Sequence, residues 1–75
     1  MRKKKILVVE DEYSINDAIT FALNNEGYET LSAFSGKEAL EKFKEFKPDL
    51  ILLDLMLGDM DGFDICKELS KEAYI

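Results

Sequence analysis

Residues Pro48 to Gly62 read PDLILLDLMLGDMDG, and the fold turns on how this stretch is read. Leu50, Ile51, Leu52 and Leu53 form an unbroken apolar run, closed by Asp54. Pro48 bounds it on one side and Gly58 on the other, with two further acids in the loop that follows. A short apolar run between such breakers predicts a strand buried on both faces, as in a parallel sheet. Open α/β sheets bind ligands at the carboxyl ends of their strands, and Asp54 stands at that end.

A second run of the same kind lies near the start. Ile6-Leu7-Val8-Val9 is rich in β-branched residues and ends in Glu10-Asp11-Glu12. Ser14 is the expected N-cap of the next helix, with Asp17 three residues on. Ile15, Ala18, Ile19, Ala22 and Leu23 follow the i, i+3, i+4, i+7, i+8 stripe of an amphipathic helix. Gly27 is its expected stop.

Tyr28 to Phe34 mixes polar and apolar residues, and Glu29 and Ser32 mark it as an edge strand. Ser35 and Glu38 form an S-x-x-E capping box. Ala39, Leu40, Phe43 and Phe46 supply the second helical stripe, with Glu38 and Lys42 on its solvated face. Pro48 ends this helix at Phe46 or Lys47. Beyond the quoted stretch, Ile65, Cys66 and Leu69 recur at helical spacing after Asp61, a plausible N-cap. The pattern is βαβαβα over residues 1–75, one domain, and such alternation means a parallel sheet with right-handed crossovers.

Composition narrows the class. Apolar residues make up 47% of the 75, which argues against disorder. Ten basic residues against 16 acidic give a net charge of −6, unsuited to non-specific binding of nucleic acid or an anionic membrane. The single cysteine, Cys66, cannot form an intramolecular disulfide, and it reads as a buried helix residue. Lys3 to Lys5 precede only four apolar residues before Glu10, too few for a signal peptide or a membrane span. A cytoplasmic setting is the expectation.

The acids carry the chemistry. Glu10 and Asp11 follow one parallel strand and Asp54 another, so all three share an edge of the sheet, and they converge if the strands are neighbours. Two unit charges about 4 Å apart repel by roughly 4 kcal/mol at an effective dielectric near 20. A cation relieves that cost, and hard oxygen donors suit Mg²⁺. A carboxylate beside such an ion can act as a nucleophile toward a phosphoryl group. Glu12 reads as solvated. Tyr13 either lines the acidic site or is simply an exposed aromatic. Met56, Met60 and Phe63 read as core or loop packing.

These residues resemble the N-terminal part of a response-regulator receiver domain of two-component signalling. ILVVEDE is similar to that family's first strand with its acidic pair, and DLILLDLMLGDMDG to its third strand and loop. The resemblance covers residues 4–72 and implies a flavodoxin-like (CheY-like) fold, an incomplete sheet of three βα units in the order 2-1-3. It implies Asp54 as phosphoacceptor and Glu10, Asp11 and Asp54 around Mg²⁺, with the backbone carbonyl of Met56 a further ligand. It implies a sensor histidine kinase as phosphodonor. Gly58 departs from the family, which usually has proline there, and loosens that loop. The family's fourth and fifth strands, with their hydroxyl and lysine positions, have no counterpart in the 75 residues.

Order 2-1-3 with right-handed crossovers places the first two helices on opposite faces. The third strand is then an apolar edge, with one face open if the third helix joins the second. A chain this short has little net stability of its own. An alternative therefore stands beside the phospho-switch: a truncated receiver fragment that self-associates or exchanges elements through Leu50–Leu55. A haloacid-dehalogenase-like phosphatase is disfavoured, because that class resembles D-x-D where this chain has Asp54-Leu55-Met56.

Overall fold

A computed structural model describes residues 3–53. The elements are β1 (Lys5–Val9), α1 (Tyr13–Asn25), β2 (Glu29–Ala33), α2 (Gly36–Phe46) and β3 (Leu50–Leu53). The helix expected after Asp61, and with it Cys66, lies outside the described residues. The strands form one parallel sheet in the order β2-β1-β3, the expected incomplete flavodoxin-like arrangement.

The central strand is the most hidden. Ile6, Leu7, Val8 and Val9 are all buried, so β1 is covered on both faces. Alternate residues of a strand face opposite ways. Leu7, Val9 and Ile51 accordingly gather with Ala33, Ala39 and Phe43 into the core beneath α2, and Leu31, Leu40, Phe46 and Leu53 pack around it. The stripe read on the second helix is thus the one that faces the core.

The other face, toward α1, is more open. Leu50 and Leu52 are 36% and 37% exposed, which corrects the expectation that this strand is buried on both faces. They pair with Ile6 and Val8 on β1, yet the α1 side chains nearest them, Leu23 and Ile19, are only half-buried. The stripe read on α1 needs correcting for the same reason. Ile15 is 49% exposed and Ala18 and Ala22 are exposed, because α1 packs over β2 and β1 and leaves the β3 side of this face uncovered among the described residues.

Helix ends follow local chemistry. Helix α1 starts two residues earlier than Ser14 suggested: Glu12 is the N-cap, and no side chain caps it. Ser14 lies within the first turn, where its Oγ donates to Glu12 Oε1. At the other end Gly27, at φ 92°, sits in the left-handed region, as its role of helix stop demands. Its N–H donates to the Asn24 carbonyl and that of Tyr28 to the Leu23 carbonyl, the pairing of a Schellman motif. For α2, Ser35 Oγ accepts from the Glu38 N–H at 3.1 Å, as the capping box predicts. Glu38 reaches back one residue further than expected, to the Phe34 N–H. Helix α2 ends at Phe46, with Lys47 as a left-handed C-cap.

Candidate functional site

The acidic rim is built from the turn between β1 and α1. Val9 pairs with Leu53 on one side and with Ala33 on the other, so all three strands reach their carboxyl ends at the same edge of the sheet. Glu10 leaves that edge half-buried, and Asp11 and Glu12 are exposed. The Glu10 N–H donates to the Ala33 carbonyl at 3.0 Å, extending the β1–β2 ladder by one residue. Glu10 Oε1 accepts from the Glu12 N–H at 3.2 Å, folding that carboxylate over the turn.

Of the residues singled out from sequence, the structure brings Glu10 and Asp11 to this rim. Asp54 and Met56 lie outside the described residues, as do Gly58 and the Asp61-Gly62 pair. Asp54 is the next residue in the sequence after Leu53. Among the described residues, no three histidine, cysteine or acidic side chains form a cluster able to hold a metal ion. Glu10 and Asp11 therefore make at most part of a ligand set, though an all-oxygen one of the kind that suits Mg²⁺.

Tyr13 opens α1 beside the rim. Its ring lies 4.4 Å from that of Phe34, centroid to centroid and tilted by 35°, while the residue remains 67% exposed. Both readings of this residue meet here: an exposed aromatic standing next to the acids.

One residue beneath the rim went unremarked in the sequence. Asn16 is completely buried, the sole polar residue so placed among those described. Its Nδ2 donates to the carbonyls of Glu10 at 3.0 Å, Ala33 at 3.3 Å and Val8 at 3.4 Å. Its Oδ1 accepts from Ser32 Oγ at 2.6 Å. The only signal available was positional: Asn16 directly follows Ile15 at the start of a stripe that was expected to face inward. Asn16, not Ile15, is the side chain that faces the sheet.

A parallel sheet in the order β2-β1-β3, with an acidic pair at the carboxyl end of its central strand, is the arrangement that the resemblance to receiver domains implies. The sequence matches the response regulator receiver domain over residues 6–74, and the chain belongs to that family. Over 72 residues it is 48% identical to the alkaline phosphatase synthesis transcriptional regulatory protein PhoP of Bacillus subtilis, covering 96% of this chain and 30% of that protein. It is 47% identical over 75 residues to the probable transcriptional regulator ycf27 of Porphyridium aerugineum, covering all of this chain and 31% of that one. The chain thus spans about a third of the length of these relatives.

Solved structures agree. The chemotaxis protein CheY4 of Vibrio cholerae matches with a TM-score of 0.89 at 33% identity, over 93% of this chain and 58% of that one. The response regulator TrrA of Thermotoga maritima, solved in complex with Mg²⁺-BeF, matches with a TM-score of 0.86 at 40% identity, over 91% and 59%. Among the described residues no helix is long and apolar enough to cross a membrane.

Proposed function

We propose that this chain accepts a phosphoryl group on Asp54 from the phosphohistidine of a sensor histidine kinase, in a Mg²⁺-dependent reaction in the cytoplasm. The observation that supports it best is the register of the central sheet. Val9 lies opposite Leu53, so Glu10 and Asp54 each follow a strand that ends at the same edge. Residues 1–75 are read as one unit of three βα repeats.

In this reading an Asp54 carboxylate oxygen attacks phosphorus, an O–P bond forms, the P–N bond to the histidine breaks, and the ring nitrogen leaves with the electron pair. Glu10, Asp11, Asp54 and the Met56 carbonyl would hold Mg²⁺, which when bound supplies positive charge against the phosphoryl oxygens. Glu10 and Asp11 hold their places through the β1–α1 turn, and their charge makes the rim a cation site rather than an anion site. The transfer is a switching step, not metabolic turnover.

Incubation of the chain with Mg²⁺ and acetyl phosphate tests the proposal. Intact mass spectrometry should show a phosphoryl adduct on the wild-type chain and none on Asp54→Asn. A wild-type chain that gains no adduct overturns the assignment.

A second reading, self-association through the third strand, is favoured by the exposure of Leu50 and Leu52 and by the pairing of β3 with β1 alone among the described strands. Apolar strand edges invite pairing with another chain. Sedimentation velocity decides it: a concentration-independent monomer excludes this reading.

A further inference from the structure

We propose that Asn16 is a positioning residue of the acidic rim. Its carboxamide fixes the backbone that carries Glu10 and Asp11, and so sets how well that rim binds a divalent cation. This rests on the receiver reading above for the cation, but the positioning of the backbone stands without it.

The argument begins with where the hydrogen bonds go. The Glu10 N–H is held by the Ala33 carbonyl at 3.0 Å and the Glu10 carbonyl by Asn16 Nδ2, also at 3.0 Å. Both peptide planes flanking Glu10 are therefore fixed, one by β2 and one by α1. The Asn16 N–H in turn donates to the Glu12 carbonyl at 2.9 Å, so the same residue closes the far end of the turn. Asp11 lies between these two anchors.

The chemistry of the position calls for a carboxamide. A carboxamide donates two hydrogens and accepts at its oxygen. Here the two hydrogens meet three carbonyls, with Val8, the longest at 3.4 Å, sharing a hydrogen, and the oxygen takes the Ser32 hydroxyl proton. An aspartate would turn a carboxylate against three carbonyl oxygens, and a leucine would leave those oxygens without this donor.

Stability alone does not explain the choice. A buried amide sacrifices its hydration, and its hydrogen bonds return only a modest net gain. An apolar residue would serve packing on this face at least as well. The amide instead gathers the last residues of β1 and β2 to the first turn of α1, at the one edge where the acids stand. Groups that hold a ligand's backbone or side chain in place tune metal affinity by about 10- to 100-fold.

The test uses the 75-residue chain labelled with ¹⁵N, as wild type, Asn16→Ala, Asn16→Ser and Ser32→Ala. Ser32→Ala removes the bond to Oδ1 and leaves the donors to Glu10 and Ala33 in place, so it reports the loss of a part-buried hydrogen bond of Asn16 without loss of the clasp. In metal-free buffer the heteronuclear NOE of the Glu10, Asp11 and Glu12 amides should fall in Asn16→Ala and hold in Ser32→Ala. On Mg²⁺ titration the shifts of the same amides should give an affinity about 10-fold weaker for Asn16→Ala and near wild type for Ser32→Ala. Should Asn16→Ala not fold, Asn16→Ser, which keeps one donor, reads the same two quantities.

Unchanged amide order at residues 10–12 in the Asn16 variants overturns the proposal, as does an equal loss of affinity in Ser32→Ala. A wild-type chain with no Mg²⁺ response would sink the metal reading of the rim, while the metal-free comparison would still decide the role of Asn16.

Discussion

The carboxylate of Asp49 accepts a hydrogen bond from the backbone N–H of Lys5 at 2.8 Å, and the Asp49 N–H donates to the Lys5 carbonyl at the same distance. This two-way bracket pins the entry of β3 to the entry of β1. It fixes the register that places Leu53 opposite Val9 at the other end. Lys5 adds to it from its side chain, with Nζ on the Phe46 carbonyl and 5.3 Å from the centre of the Phe46 ring. Asp49→Ala removes a charge-assisted bond and is expected to cost about 1.5 kcal/mol. A lowered urea midpoint with unchanged slope is the sign to look for, and an unchanged midpoint would show that β3 keeps its register without the bracket.

The two faces of β3 should answer differently to truncation. Ile51 is 1% exposed within the core under α2, so Ile51→Val should cost about 1 kcal/mol. Leu52 is 37% exposed on the opposite face, and Leu52→Thr should cost less than that while improving solubility. Paired thermal melts and a sedimentation series would check both. A Leu52→Thr loss larger than that of Ile51→Val would mean the face toward α1 is covered.

Loss of the Ser35 hydroxyl strips the cap from α2. Ser35→Ala should destabilise by about 1 kcal/mol, because the Glu38 N–H then lacks its partner. Helical content and melting temperature report it together, and indifference of both would contradict the capping geometry.

Charge removal at the rim should have the opposite sign. If Asp11 shares its edge with Asp54, Asp11→Asn relieves repulsion and raises the melting temperature in metal-free buffer, by the equivalent of about 1 kcal/mol at most, because Asp11 is exposed. Saturating Mg²⁺ should narrow or reverse the difference, since the wild type then gains the ion that the variant binds less well. A lower metal-free melting temperature for Asp11→Asn would show that the acids do not crowd one another.

Much of this was legible in the chain. Two apolar runs ending in acids gave the two neighbouring parallel strands, and Glu29 and Ser32 marked the edge strand. Gly27 and the Ser35–Glu38 pair gave helix ends, since each reflects a local rule that neighbouring residues settle. The α1 stripe misled, because Ile15, Ala18 and Ala22 have the spacing of a buried face but no described partner across from them. Periodicity reports which side chains share a face and says nothing of what covers it. Asn16 escaped notice for the converse reason: its partners are main-chain carbonyls of Val8, Glu10 and Ala33, and backbone acceptors leave no mark in a sequence. Glu10 and Asp11 were readable at the rim because they directly follow an unbroken apolar strand run.

Of the three described strands, the earliest in the chain is the middle one of the sheet. As the polypeptide emerges from a ribosome, β1 can zip to β2 early, but its second edge stays open until Leu53 has cleared the exit tunnel. A nascent chain paused once Ala33 has cleared the tunnel would therefore hold β1 paired along one edge only, with its β3 edge open and Leu7 and Val9 without the cover of α2, which makes that interval the moment when a holdase chaperone has most to grip.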